Sequence, residues 1–318
     1  MSGYVFILYN LMPVQTIRQK NNPLVSVIIP SLDGYRGGNV PKLIQALNNQ
    51  TFQDFEVLVV VKEKPCARAH NVGVQSAQGE IVVFFDDDVT LGGDKVIENL
   101  ITPLRSAVHI TPNAQRQTQN PRPIGITGAS TLLPPDANRF QRHCAKELPR
   151  FEFPIVREIT ESDMVTHAAM AVKKPTFTEV GGENENLIFG DDPELRARVR
   201  KAGYKIVITP NTWIFHPPPS NLPNYLRMSF RRGIGAAHDF WRYPHLIYET
   251  PPASSRTFVP HRPFQYRAIR FIIQNIEAIV NLKLVFFPVR LAYGAGYLIG
   301  LAKQFISPRA CANKQDNL

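Results

Sequence analysis

Three consecutive carboxylates, Asp86-Asp87-Asp88, follow directly on five apolar residues, Ile81-Val82-Val83-Phe84-Phe85. Like charges this close repel unless a cation sits among them. Mg2+ or Mn2+ carrying a substrate phosphate answers that need, because a hard divalent ion takes one or two carboxylates and completes its shell with phosphate oxygens. A solvated acidic turn is the other reading of the same residues. A second acidic pair opens Gly190-Asp191-Asp192-Pro193-Glu194-Leu195. Two adjacent carboxylates at the start of a helix lie at the positive end of its dipole. In this setting Asp192 also reads as a helix N-cap, with Pro193 at the first helical position and Glu194 at the positive end of the dipole. A cap bond of that kind lowers the carboxylate's basicity. His216 precedes three prolines, and reads either as a ligand or as a structural turn residue. Arg231 and Arg232 suit diphosphate oxygens, or form a solvated basic face.

The elements that must position these groups alternate in type. Leu24-Val25-Ser26-Val27-Ile28-Ile29-Pro30 and residues 55–61 and 81–85 are β-branched or aromatic apolar runs, predicted as buried strands. Helices are predicted over 41–49, with Leu43, Ile44 and Leu47 inward, and over 67–77, closed by Gly79 as C-cap. That order predicts βαβ units and a doubly wound, mainly parallel sheet. Ligands of such sheets bind at the C-terminal strand ends, where the Asp triplet falls. Further on, the chain predicts a helix over 94–101, long loops over 102–123 and 134–149, and a strand over 124–133. An apolar segment at 164–172 and a short helix over 175–180 ending at Gly181-Gly182 come next. A helix then runs from Asp192 to Gly203, with Leu195 and Val199 buried, before short strands at 205–209 and 212–215.

The bulk composition is globular, and the net charge of +10 is concentrated at one end: from Lys201 onward 15 Lys/Arg face four Asp/Glu. A basic region of this kind meets nucleic acid, an anionic membrane or phosphorylated substrates. No nucleic-acid-binding signature accompanies it, which ranks nucleic acid last. Three dispersed cysteines without metal-ligand spacing, Cys66, Cys144 and Cys311, favour a reducing compartment. Residues 1–23 read as an N-terminal extension, 24–220 as the α/β domain, and 221–318 as a basic, amphipathic helical region. In the last, residues 224–238 form a basic helix broken at Arg231-Arg232-Gly233. Ile269, Ile272, Ile273, Ile276 and Val280 share a helical face over 267–283, and residues 284–302 are apolar apart from Arg290. Gly296 and Gly300 make one small-xxx-small step. Arg290 argues against a spanning helix, and the basic character favours peripheral attachment to an anionic cytoplasmic leaflet.

Taken together, the proline-ended first strand, the strand–Asp triplet junction, the Gly-Asp-Asp helix start and the strand-terminal His216 resemble family-2 glycosyltransferases, inverting enzymes of the GT-A fold. The resemblance spans residues 24–219. Besides those features it is carried by Ala67-Arg68-Ala69-His70-Asn71-Val72-Gly73, by Ala77-Gln78-Gly79-Glu80-Ile81, and by Glu179-Val180-Gly181-Gly182. It implies that Asp86 contacts the ribose or pyrophosphate side of a nucleotide sugar and, with Asp88, the metal. Asp87 is the intervening position, while Pro30, Asp33 and Asn71 line the nucleotide pocket. Asp192 becomes the general base, Asp191 replaces the usual Glu before it, and His216 completes metal or pyrophosphate binding. The implied partners are a nucleotide-sugar donor and a glycan or lipid-linked acceptor. Three positions depart from the family pattern. Val61-Lys62-Glu63-Lys64 stands where an Asp often grips the base, His70 where Arg often precedes the Asn, and Glu183 where an aromatic is common. Two rivals remain. A sugar-1-phosphate nucleotidyltransferase would leave the Gly-Asp-Asp helix without a role, and a non-catalytic nucleotide-sugar or glycan-binding subunit draws on the departure at Lys62-Glu63.

Overall fold

The computed structural model describes residues 13–105, 122–148, 154–248 and 263–306. Among them, a nine-stranded mixed sheet forms the centre. Strands β2 (Val25–Ser31), β3 (Phe55–Val61) and β4 (Ile81–Phe85) are parallel, in the order β3-β2-β4. Almost every residue of these strands is buried, because helices cover both faces. The period of two divides them: Val25, Val27, Ile29, Val83 and Phe85 pack with α1 (Asn39–Asn48) and α3 (Val96–Arg105). Ile28, Val82 and Phe84 face the other way, toward α2 (Cys66–Ser76) and α6 (Asp191–Lys201). The sheet begins inside the stretch expected to be an extension, since β1 (Val14–Arg18) pairs antiparallel with β3 at the edge.

Three strands built from the second half of the domain decide what meets the Asp triplet. Strand β8 (Ala169–Lys173) runs antiparallel to β4 with Phe85 opposite Ala169, so the residues just before β8 lie beside Asp86. Strand β9 (Lys205–Phe215) is parallel to β6 (Ile124–Leu132), and the short β5 (Thr90–Leu91) pairs Thr90 with Phe215. That pairing delivers His216 to the segment following Asp88. The two short strands expected at 205–209 and 212–215 are one strand with an irregularity at Pro210-Asn211, where Asn211 is left-handed (φ 51°). The remaining strand, β7 (Thr160–Glu161), pairs with β9.

Several local expectations are corrected. Gly79 does not cap α2, whose C-cap is Ala77. A Cβ at Gly79 would press on the β2 backbone at Ser26, and its N–H donates to Ser26 Oγ at 2.8 Å, so the glycine serves a close strand approach. The 134–149 loop contains α4 (Arg139–Glu147), started by a reciprocal Asn138–Gln141 capping box. Helix α3 runs on to Arg105, and residues 106–121 of the expected 102–123 loop lie outside the described residues. Helix α6 begins at Asp191 with left-handed Gly190 (φ 82°) as its N-cap, which frees Asp192 from the capping role. After the short α5 (Lys174–Glu179), Gly181 and Gly182 both adopt positive φ as expected of a turn.

The C-terminal region is a three-helix unit: α7 (Leu222–Arg242), α8 (Phe264–Val280) and α9 (Phe286–Ile306). Helix α7 is unbroken through Arg231-Arg232-Gly233. Gly233 is instead the point where α9 crosses, and a Cβ there would run into the Tyr293 carbonyl. Gly296 meets the Phe230 carbonyl reciprocally, and Gly300 lies against Ile234 and Ala237. The small-residue step therefore lets two helix backbones touch. Gly233→Ala would favour an isolated helix by about 1 kcal/mol. In the intact chain it is expected to cost about 1–3 kcal/mol in urea denaturation, because overpacking outweighs propensity. A stabilised variant would show that α7 and α9 do not meet this closely.

Candidate active site

The loop after β2 is shaped to meet the Asp triplet. Asp33 Oδ1 accepts from the backbone N–H of Tyr35 (2.9 Å) and Arg36 (2.7 Å), and these bonds hold its carboxyl below the usual range. The turn puts Arg36 at left-handed φ (48°) and aims its guanidinium at the triplet, Nη2 to Asp88 Oδ2 at 2.9 Å and Nε to Asp87 Oδ1 at 3.3 Å. Ser31, directly after Pro30, donates to Asp87 Oδ2 at 2.7 Å, and Asn39 Nδ2 donates to the Asp87 carbonyl at 2.8 Å. Asp87 thus faces protein. Asp33 and Pro30 build the loop and strand end that hold Arg36 and Ser31.

Asp86 and Asp88 face His216. Their ligand atoms and an imidazole nitrogen all lie within 4.8 Å of one another. His216 Nε2 is 3.2 Å from Asp88 Oδ1. Burial alone would raise Asp88, but His216 and Arg36 overcome it and bring the carboxyl to about 2. Asp86 has no donor among the described residues, and burial lifts it to about 6 against the pull of His216. Two carboxylates and an imidazole, one carboxylate lacking any donor of its own, fit a divalent cation with oxygen ligands still to be supplied.

The second acidic pair is held differently. Asp192 Oδ1 accepts from His167 Nδ1 at 2.6 Å and from the His167 backbone N–H at 2.9 Å. His167 Nε2 in turn meets Glu183 Oε1 at 2.5 Å. A neutral imidazole would point a lone pair at one of these carboxylates, so both nitrogens must donate. Burial opposes that charge, yet Glu183 and Asp192 hold the His167 pKa well above its ordinary value. The same contacts, with Arg196 one turn along α6, outweigh burial and hold Asp192 far below the usual carboxylate range. Asp191 goes the other way: burial and the neighbouring Asp192 charge raise it to about 7.

The two carboxylate groups are joined through the core. Phe84, two residues before Asp86, meets the edges of His70 and His167, whose rings stack at 4.1 Å. Asp86 feels the charge of both Asp192 and His167. A second constellation, His70, His167 and Asp191, also has ligand atoms within 4.8 Å, but both His167 nitrogens are already bonded to carboxylates.

Asn71 does not present a free amide. Its Nδ2 donates to the Glu183 carbonyl (2.9 Å) and Glu185 Oε1 (2.8 Å), and its Oδ1 accepts from Glu183 N–H (2.8 Å). Its structural work is to fix the loop that carries Glu183. Glu63, in the atypical base-recognition stretch, pairs with Arg68 at 2.6 Å. Arg231 and Arg232 are both exposed on α7, and the positive charge of Arg232 is felt at His216. His167, Arg36 and Arg196 carry no local signal along the chain. His70 and Glu183 stand out there only as departures from the family pattern, and both touch His167.

An open α/β sheet with a cation-ready carboxylate group at the end of β4, and a second carboxylate pair delivered by β8 and α6, defines a protein of the GT-A class. Residues 25–235 match the family described as "Glycosyltransferase like family 2", and the chain belongs to that family. Mannosyltransferase PcManGT from Pyrobaculum calidifontis, solved in complex with GDP-Man and Mn2+, shares the fold. Its TM-score is 0.54 over 95% of this chain and 94% of that one, at 13% identity. S. aureus TarS 1–349 in complex with UDP-GlcNAc gives a TM-score of 0.43 at 12% identity, over 68% of this chain and 66% of that one. The pre-mycofactocin glycosyltransferase of Mycobacterium tuberculosis is 25% identical over 194 residues, 60% of this chain. The chain spans 38% of the length of the curated relatives it matches.

His167→Gln removes the buried cation between Glu183 and Asp192, and is expected to cost about 3–5 kcal/mol at neutral pH by urea denaturation. The sign of its pH dependence follows from the shifts. The stabilisation from His167, whose folded pKa is raised, is complete below its unfolded value and fades as pH rises through the folded one. That from Asp192, whose folded pKa is lowered, is present above the ordinary carboxylate value and fades as pH falls through its depressed one. The penalty should therefore be largest between about pH 4 and 6.5 and shrink on either side. A penalty independent of pH would show that the imidazole is neutral in place.

Proposed function

We propose that the chain is an inverting glycosyltransferase that moves a sugar from a nucleoside-diphosphate sugar to a hydroxyl of a glycan or lipid-linked acceptor. The observation that carries the reading is the division of labour between two facing carboxylate groups, one suited to a cation and one to a proton. Asp86, Asp88 and His216 would hold Mg2+ or Mn2+, which when bound neutralises charge on the departing diphosphate. Arg36, already at the triplet, and Arg232, whose charge reaches His216, would contact the same diphosphate.

The acceptor proton goes to the Asp191-Asp192 pair. Asp192 supplies orientation: one carboxylate oxygen is fixed by two bonds from His167, which leaves the other for the acceptor hydroxyl. Asp191 supplies proton affinity, since a second charge beside Asp192 is resisted until about pH 7. A base matched to neutral pH is what general-base catalysis requires, and one carboxylate near the hydroxyl suffices for a single displacement. Attack on the anomeric carbon opposite the bond to the diphosphate inverts configuration.

The acceptor side adjoins apolar surface. Ile188 and Phe189, directly before Gly190-Asp191-Asp192, remain exposed. Their N–H groups are held at 2.9 Å each by Asp239, a buried residue of α7. The basic helical region, and the absence among the described residues of a helix long and apolar enough to cross a membrane, support peripheral attachment to the anionic cytoplasmic leaflet. A lipid-linked acceptor would be met there.

Incubation with a panel of nucleotide sugars, Mn2+ and membrane extract should release nucleoside diphosphate. Asp192→Asn is expected to lower turnover by about 10²–10⁴-fold with donor binding retained, and Asp88→Ala to abolish the stimulation by metal. Failure of every donor to bind or turn over sinks the enzyme reading, and release of pyrophosphate would favour a nucleotidyltransferase. Turnover should also rise with pH through an inflection near 7, the value expected for Asp191. That inflection should disappear in Asp191→Asn, and its persistence there would assign the proton elsewhere.

A further inference from the structure

Helix α8 is inverted relative to a helix that faces water. Its inward side carries Arg267, Asn275 and Ala278, with Arg267 over the Phe240 ring and Asn275 and Ala278 buried. Its outward side carries Ile269, Ile272, Ile273, Ile276, Ile279 and Val280, with Ile272 58%, Ile276 55% and Val280 74% exposed. These residues recur at i, i+3, i+4 and i+7 and form one continuous apolar face. The turn to α9 adds Leu282 and Leu284, at 76% and 70% exposed. Helix α9 then shows Leu291, Leu298 and Phe305, seven residues apart on a single face. Monomeric soluble proteins rarely leave so continuous an apolar surface in water.

The charged residues of these helices are turned inward or, like Arg270, Glu277 and Lys303, exposed outside that face. Arg290, the cation that interrupts the apolar α9, is turned inward between the Phe271 and Phe286 rings at 4.7 and 5.3 Å. Arg270 and Lys303 are exposed, within a C-terminal third that holds 15 Lys/Arg against four Asp/Glu. Two copies joined through this face would bring two strongly basic surfaces together. An anionic leaflet complements them. Neither helix is long and apolar enough to cross a membrane, and an exposed apolar stripe on such helices fits an orientation in the plane of the interface.

We infer that the outward faces of α8 and α9, with the Leu282–Leu284 turn between them, form an in-plane docking surface for an anionic lipid bilayer. This rests on the peripheral attachment proposed above, and not on the transfer chemistry. The isoleucines enter the boundary between headgroups and acyl chains, while Arg270 and Lys303 remain at the level of the headgroups.

The test is flotation of the full chain with vesicles of phosphatidylcholine, alone or mixed with phosphatidylglycerol. The wild type should partition to the mixed vesicles and weaken as salt rises. Ile272→Asp combined with Ile276→Asp, at two exposed positions, should reduce partition by about tenfold or more, with unchanged circular dichroism and unchanged donor-dependent nucleotide release in solution. Equal partition of variant and wild type would move lipid binding to another surface and overturn the inference. So would a wild type that binds neither vesicle, whether sedimentation velocity then shows a dimer that the double variant disrupts or a monomer whose face is covered by residues 249–262 or 307–318. Nucleotide release alongside absent vesicle binding would sink the docking surface and leave the transferase reading standing. Vesicle binding without nucleotide release would do the reverse.

Discussion

Repulsion among carboxylates is the constraint that the rest of the domain answers. Asp86, Asp87 and Asp88 end one strand, and Asp191, Asp192 and Glu183 are brought against them by β8, α6 and the loop between α5 and α6. Each charge has a stated counterpart except two. Asp87 and Asp88 have Arg36, Asp88 also has His216, and Asp192 and Glu183 share His167. Asp86 and Asp191 are left over, and they are pushed furthest upward, to about 6 and about 7, while burial raises Asp87 as well against the pull of Ser31 and Arg36. The unmet demand at Asp86 suits a cation, and the unmet demand at Asp191 suits a proton. That asymmetry suits the C-terminal end of β4, in the middle of the sheet, to chemistry and not only to a balanced ion network.

A buried carboxylate–imidazole–carboxylate chain is a poor way to gain stability, because desolvating the charges offsets most of their attraction. It is a good way to fix an orientation. His167 bonds Asp192 with both its ring and its backbone, so the first turn of α6 cannot rotate without breaking two bonds at once. The network along that helix extends the restraint: Arg196 is fully buried near Asp192, Arg198 pairs with Glu194, and Arg200 pairs with Asp163 and Glu161. Helix α6 is thus polar on faces that a free helix would give to water, and its position depends on charge pairing as much as on Leu195 and Val199.

What could be read from the chain follows from how local the signals are. Strands β2, β3 and β4 are runs of apolar residues buried on both faces, so composition alone marks them, and the Asp triplet inherits its position from β4. The acidic pair was legible as a helix start, but its role changed: left-handed Gly190 takes the cap position, and Asp192 is released to His167. His167 itself was illegible, because it acts through residues far away in sequence. The only trace lies in the two departures at His70 and Glu183, which look unrelated along the chain and meet at one imidazole, His70 stacked on its face and Glu183 bonded to its Nε2. Along the chain α7 reads as broken at Gly233, because the partner helix that needs a bare backbone there lies far away in sequence.

Helix α7 is where the site and the C-terminal helices become one mechanical problem. On one side its glycines let α9 approach to backbone contact, and its Ser229 donates to the Val289 carbonyl at 2.8 Å. On the other, Asp239 holds the N–H groups of Ile188 and Phe189, and Gly235 admits the Phe189 ring. Those two residues lead straight into Gly190 and the acidic pair. Helix α9 is fixed at its start by Glu147 of α4, which accepts from Val285 and Phe286 N–H at 2.9 and 2.6 Å. Helix α9 is therefore tied to the turn that carries Asp191 and Asp192 by short, specific contacts through α7. With the outward faces of α8 and α9 seated as inferred above, the same seating would set the height and tilt of the Asp191-Asp192 pair, which links the inferred docking surface to the proposed acceptor side.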